Sequence, residues 1–214
     1  MDAPTATEQT AYVRRFSPTE RSLHWLLAGT FFAMLVTGLI LYLPSLAQVA
    51  ADRQLWKSIH LGAAIAFWGG TLLLLVSAPG ELQRTARELD SFDEDDRRWL
   101  RWAVRRGGTE PPQGRFNAGQ KLNALVTAAF AVLFAISGFF LWLGERDHRY
   151  LFDGTGTVHD ALTLISVGLV SGHLYLALIH PATRHALRGM TLGDVREDWA
   201  REHHSKWLED RRGL

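Results

Sequence analysis

Residues 158–180 read Val-His-Asp-Ala-Leu-Thr-Leu-Ile-Ser-Val-Gly-Leu-Val-Ser-Gly-His-Leu-Tyr-Leu-Ala-Leu-Ile-His, and this stretch decides the fold. Its only formal charge is Asp160, near the start. A helix rising about 1.5 Å per residue needs about 20 such residues to cross the hydrocarbon core of a bilayer. The stretch also carries His159 and His173, fourteen residues apart. That spacing separates two helical positions by about 21 Å and returns them to within about 40° of the same face. One spanning helix therefore offers one imidazole to each of two sites stacked at different depths.

Three further runs match it. Residues 23–43, 58–78 and 122–143 contain no Asp, Glu, Lys or Arg. The overall composition conceals them, because 23 Lys and Arg nearly balance 22 Asp and Glu. Strands would have to close into a barrel, and these runs lack the alternation that barrel strands require. The expected fold is an all-α integral membrane protein, a bundle of four transmembrane helices with cytoplasmic loop and tail helices. Its parts are a segment 1–22, a membrane domain 23–180 with an internal loop 79–121, and a tail 181–214. The first 22 residues are polar, and the run behind them exceeds the apolar core of a secretory signal, so no cleaved leader is expected. The chain has no cysteine, which removes thiolate-held iron–sulfur or zinc sites and disulfides.

Orientation follows from the cations. Three Lys or Arg precede the first run, nine fall in 79–121 and seven follow residue 181, against two in each remaining loop. The positive-inside rule then puts both termini and the long loop in the cytoplasm. Because the arginine clusters all flank spans, they serve topology and not nucleic-acid binding. Trp56, Trp142 and Tyr150 near the outer ends, and Trp25 near an inner one, suit interfacial belts.

The chain repeats itself at an offset of about 100 residues. Arg15-Phe16 recurs as Arg115-Phe116, Thr37-Gly38 as Ser137-Gly138, and Ser58-Ile59-His60 as Thr157-Val158-His159. The first hairpin of spans is thus copied by the second, in the same sense through the membrane.

Depth alone now pairs the histidines. His60 and His159 lie just inside the outer surface; His24 and His173 lie toward the cytoplasm. Two imidazoles facing each other across a bundle suit the two axial positions of a haem b, so the chain reads as a carrier of two haems and an electron path across the bilayer. A single intramembrane histidine could equally hydrogen-bond a neighbouring helix. His180 is a rival for the inner site, although its place beside Pro181 makes it interfacial; His148, His185, His203 and His204 are expected to be solvated. Gly38 would admit a flat macrocycle or simply pack helices. Arg21 and Lys57, three residues before a histidine, would pair with haem propionates or snorkel.

In the long loop, Glu94 to Arg106 is expected to form a helix with Trp99, Trp102 and Ala103 on one side, lying in the membrane interface. Gly107-Gly108 and Pro111-Pro112 end it. The tail, with Trp199 and Trp207, is expected to form another short helix. The two outer loops are only about a dozen residues long, leaving a nearly flat outer face.

The chain resembles the cytochrome b gamma subunit of membrane-bound respiratory formate dehydrogenases over nearly its whole length. The resemblance lies in Arg14-Arg15-Phe16, Glu20-Arg21, His24-Trp25, Thr37-Gly38 before Pro44, Phe116-Asn117-Ala118-Gly119-Gln120-Lys121, the His159 to His173 spacing, His173-Leu-Tyr175, Gly189-Met190 and the run Trp199 to Trp207. It implies a bacterial inner-membrane subunit that does not itself oxidise formate. An extracytoplasmic catalytic alpha subunit containing molybdenum or tungsten would do so, and an iron–sulfur beta subunit would pass electrons to the outer haem. They would then reach the inner haem, held by His24 and His173, and reduce menaquinone or ubiquinone near the cytoplasmic side; the resemblance also admits a higher oligomer of the complex. It points to Asn117, Gln120, Lys121 and Tyr175 as quinone-site residues. Asn117 and Gln120 also fit a helix-capping box. A different partner, such as a nickel–iron hydrogenase or another quinone oxidoreductase of the cytochrome b561 type, would use the same chain, and a proton channel or transporter would use the histidines without haem.

Overall fold

The computed structural model describes residues 11–49, 52–105, 108–146 and 154–212. His148 and Tyr150 fall outside them. In chain order the elements are a short strand β1 (Tyr12–Arg14), α1 (Pro18–Tyr42), α2 (Pro44–Val49), α3 (Arg53–Ser77), α4 (Pro79–Asp90), α5 (Glu94–Arg105), α6 (Ala118–Arg146) and α7 (Thr155–Leu174), then α8 (Leu187–Thr191), β2 (Asp194–Arg196), α9 (Glu197–His203) and α10 (Ser205–Arg212).

Four of these helices have the length and composition to cross a membrane: α1, α3, α6 and the continuous segment Thr155–Ile179, at 25, 25, 29 and 25 residues. Their starts are written locally. Ser17 accepts from the Glu20 amide at 3.1 Å while the Glu20 carboxylate accepts from the Ser17 amide at 2.9 Å, and Pro18 occupies the first turn of α1. Asp52 caps α3 by accepting from the Leu55 amide at 3.0 Å. The fourth span ends in a π turn over Tyr175–Ile179, after which Pro181 prevents continuation. The spans bury almost none of their apolar side chains within the protein; Leu73 is 68% exposed and Val76 71%. Such surface is stable only against lipid.

Among the described residues, the spanning helices pack closely on one another only within hairpins. The backbones of α1 and α3 approach along much of their length and those of α6 and α7 more sparsely, whereas α3 and α7 make no such extended approach among the described residues. Gly70 permits the first contact, since a Cβ there would stand 2.6 Å from Leu26 Cδ2.

The long loop, the tail and the N-terminal strand form a folded platform at one end of the spans. β1 pairs antiparallel with β2, Val13 opposite Val195, over a small core of Val195, Trp199, Ala200, Trp207 and Leu208. Helix α5 appears where the sequence predicts it. Its tryptophans bond within the loop, Trp99 Nε1 to Glu110 at 2.8 Å and Trp102 Nε1 to the Gly108 carbonyl at 3.1 Å. Helix α4 and the two-strand ribbon are additions to the sequence reading. Helix α4 buries one leucine, Leu82, and its short apolar stripe of Leu82, Ala86 and Leu89 lies among charged residues; each strand is only three residues long.

Candidate functional site: two facing histidine pairs

Helix α3 carries His60, and α7 carries both His159 and His173; His24 stands in α1. The structure brings them together as two couples. The ring centres of His60 and His159 are 6.4 Å apart, and those of His24 and His173 are 6.3 Å apart. Metal–imidazole bonds run about 2 Å and a ring centre lies about 1.2 Å behind its nitrogen, so two imidazoles on opposite sides of one metal ion put their centres about 6.4 Å apart. Both couples meet that spacing. Among the described residues no cluster of three or more His, Cys, Asp or Glu could enclose a bare ion. Two imidazoles with no third such donor beside them, among the described residues, would suit a group that brings its own four planar donors, such as a porphyrin.

The outer couple is locked by its neighbours. Thr37 Oγ1 lies 2.9 Å from His60 Nδ1, and Ser137 Oγ lies 2.9 Å from His159 Nδ1. Each hydroxyl donates its proton down its own helix, Thr37 to the Ala33 carbonyl at 2.7 Å and Ser137 to the Leu133 carbonyl at 2.8 Å. The hydroxyl oxygens must then accept from Nδ1–H, which leaves the lone pair of each imidazole on Nε2. A Cβ on Gly38 or on Gly138 would touch Cε1 of the adjacent histidine at 3.5 Å. The repeat is thus a real pseudo-twofold at this depth. It does not extend to the inner couple, because the equivalents of His24 and His173 are Ala124 and a leucine, Leu73 or Leu74.

The remaining candidates have protein partners. Lys57 forms an ion pair with Glu145, and Arg21 Nη1 donates to the Thr191 carbonyl at 2.7 Å. Asn117 and Gln120 form the reciprocal cap of α6: Asn117 Oδ1 accepts from the Gln120 amide at 2.9 Å and Gln120 Oε1 accepts from the Asn117 amide at 3.1 Å. Lys121 is buried on Asp96, 2.6 Å away, and donates to the Ser91 carbonyl at 2.9 Å. Tyr175 is half exposed, with its ring edge-on to His180 at 5.9 Å. His180 lies at the end of the fourth span, 3.3 Å from Thr183 Oγ1, apart from the inner couple.

Two histidines depart from the solvated positions that the sequence predicts. His204 is 1% exposed and donates from Nδ1 to the Gly114 carbonyl at 2.7 Å. Burial and the nearby Arg15 hold its pKa well below the ordinary value. His203 packs against Glu110 at 3.3 Å, whose hydrogen bond raises its pKa. The charged tail predicts solvation for both; the groups that bury His204 and partly cover His203, the Gly114 carbonyl and Glu110, come about 90 residues earlier. Arg15 enters the sequence reading only through the repeat and the Arg14-Arg15-Phe16 motif. It is buried, its pKa lowered to about 9 by desolvation and by Arg115, and it donates to the Arg115 carbonyl at 2.6 Å and to Gln120 Oε1 at 3.2 Å.

Residues 15–193 match the family described as prokaryotic cytochrome b561. The chain belongs to that family. This membrane cytochrome b is also similar to curated proteins. It is 21% identical over 201 residues to the Escherichia coli "Formate dehydrogenase, nitrate-inducible, cytochrome b556(Fdn) subunit", covering 89% of this chain and 88% of that one. To the E. coli "Formate dehydrogenase, cytochrome b556(fdo) subunit" it is 25% identical over 207 residues, 92% of each chain. To the Haemophilus influenzae "Formate dehydrogenase, cytochrome b556 subunit" it is 21% identical over 215 residues, 95% of this chain and 85% of that one. Family membership brings haem b with it, and the four helices make the cytochrome a multi-pass membrane protein.

Proposed function

We propose that this cytochrome b is the membrane subunit of a formate dehydrogenase complex, carrying electrons from an extracytoplasmic iron–sulfur subunit to quinone near the cytoplasmic face of the bacterial inner membrane. The observation that carries the reading is the pair of facing imidazole couples, with ring centres 6.4 and 6.3 Å apart, joined through one helix that separates them by about 21 Å. His60 with His159 would hold an outer haem b and His24 with His173 an inner one. When bound, these haems supply one-electron carriage.

The chain's own part is placement and insulation. Helix α7 fixes the separation, since His159 and His173 belong to one rigid element. The apolar spans exclude water from the sites, and Thr37 and Ser137 orient the outer ligands. Gly38 would leave room for the macrocycle beside His60. Arg21 and Lys57 would meet its propionates at the two interfaces, each giving up or sharing its present partner. The distribution of cations supports cytoplasmic termini, and the short outer loops would let a large redox partner approach the outer couple closely. Asn117, Gln120, Lys121 and Tyr175 would border the quinone at the cytoplasmic end of α6 and the fourth span. Because the first three are engaged in a cap and a buried ion pair, their part there would be to shape the pocket wall. The similarity to three formate dehydrogenase subunits supports a formate dehydrogenase complex, which an iron–sulfur beta subunit and a molybdenum- or tungsten-containing alpha subunit would complete.

The test is purification of the chain with its native companions. The expected result is two haems b per chain, reduced by formate in the intact complex and reoxidised by a quinone analogue. A colourless chain, or one haem per chain, defeats the reading. A second reading exchanges the partner for a nickel–iron hydrogenase or another oxidoreductase. The site itself favours neither, because histidine couples and short outer loops constrain cofactor and approach without specifying the donor; reduction by hydrogen and not by formate would establish it.

A further inference from the structure

We infer that Thr37 and Ser137 are positioning residues that set the reduction potential of the outer site through the second nitrogens of its ligands. This inference rests on the reading of His60 and His159 as axial haem ligands. Each hydroxyl oxygen stands 2.9 Å from Nδ1 of one histidine, and each is forced into the acceptor role because its proton goes to a carbonyl four residues earlier, at 2.7 and 2.8 Å. Both residues are buried, Thr37 at 3% exposure and Ser137 at 5%, so water does not substitute for either contact. A hydroxyl accepting from Nδ1–H pushes electron density toward Nε2. It makes the imidazole a stronger donor and favours the ferric over the ferrous state of the iron it binds.

The arrangement is doubled by the internal repeat. The two contacts have the same length, and both helices place a glycine, Gly38 or Gly138, directly after the hydroxyl residue, where an added Cβ would stand 3.5 Å from Cε1 of His60 or of His159. A hydroxyl four residues after a carbonyl is common in apolar helices and by itself only satisfies the helix. Here both such hydroxyls aim at ligands of one site. Neither His24 nor His173 stands in a repeat-related position, so the device belongs to the outer site alone.

The test uses the purified complex with its haems, titrated spectroelectrochemically, with His60→Ala identifying the outer wave by its loss. The variants are Thr37→Val, Ser137→Ala and the pair together, with Thr37→Ser and Ser137→Thr restoring a hydroxyl. The double variant should raise the outer midpoint so that the ferrous-to-ferric ratio at a fixed ambient potential increases about tenfold, or 59 mV for a one-electron couple. The inner wave should stay in place, and the hydroxyl-restoring variants should titrate as wild type. Loss of the outer haem in the double variant with retention in the restoring ones also supports the inference. An unmoved outer wave, equal movement of both waves, or loss of the outer haem even where a hydroxyl is restored overturns it. Failure of the underlying reading is visible beforehand, as a wild-type complex lacking two waves.

Discussion

Arg15 and Arg115 exchange hydrogen bonds across 100 residues of chain. Arg15 Nη2 donates to the Arg115 carbonyl at 2.6 Å, and Arg115 Nη1 donates to the Arg15 carbonyl at 3.3 Å. Their neighbours Phe16 and Phe116 meet with ring centres 5.7 Å apart. The repeat visible in the sequence therefore closes on itself beneath the membrane, and this clasp joins the two hairpins where the histidine couples require them to keep their distance.

Arg115 also neutralises the carboxylates that reach it. It lies 2.6 Å from both Glu20 and Glu88 and donates to Thr85 at 2.9 Å. Replacing one buried partner strands the others, at a cost of about 3–5 kcal/mol. Arg115→Met should lower the thermal midpoint of the detergent-solubilised protein, followed by circular dichroism, well below that of Arg98→Met, whose ion pairs are exposed. Equal midpoints would show that the clasp carries no stability.

The couples predict separable losses. His60→Ala or His159→Ala should each remove one and the same haem signal, and His24→Ala or His173→Ala the other, leaving about half of the b-type absorbance in each case. Loss of the inner signal from His60→Ala would break the pairing. The quantity to read is haem per chain, by extraction, together with the surviving midpoint potential.

Gly193 has φ +92°, and a Cβ on it would stand 2.8 Å from the Phe16 carbonyl oxygen. Its own carbonyl accepts from the Arg15 and Phe16 amides at 2.8 and 3.0 Å. Left-handed backbone costs a side-chain-bearing residue about 1–2 kcal/mol, and the contact with backbone adds to it. Gly193→Ala should therefore destabilise the platform by more than about 1 kcal/mol, measured as increased proteolysis of the tail, while Gly114→Ala, which meets open space, should not.

His204 makes the platform sensitive to acid. Its folded pKa is depressed by burial, so below the ordinary 6.5 the unfolded chain takes up a proton that the native chain refuses. Stability is present above 6.5 and falls with pH, by about 1 kcal/mol per pH unit. His203, with its pKa raised by Glu110, acts in the opposite sense and loses its contribution as pH rises. His204→Asn keeps a donor toward the Gly114 carbonyl without the titration. Its midpoint should drop less than the wild type's between pH 7 and pH 5.5; parallel curves would reject the assignment.

Much of the candidate site was legible because its decisive terms are one-dimensional. Periodicity placed His159 and His173 on one face, and the run boundaries gave their depths, which named their partners. Asn117 and Gln120 could be read as a cap because a cap spans three residues. Lys121 is different, since its partner Asp96 lies 25 residues away on another helix, and its burial was invisible. The same holds for His204 and Arg15. A polar residue enters a core only when distant groups satisfy it, and no local pattern announces which groups those are.

The sequence by itself determined that the chain crosses the membrane four times and carries imidazoles at two depths, since transfer into lipid and helical rise are summed residue by residue along the chain. Only the tertiary structure decided that Thr37 and Ser137 would fix which nitrogen of His60 and His159 faces inward, and that loop, tail and N-terminal strand would knit into one platform. Hydrogen bonds and ion pairs act over about 3 Å, so they exist only once the fold has brought remote segments together.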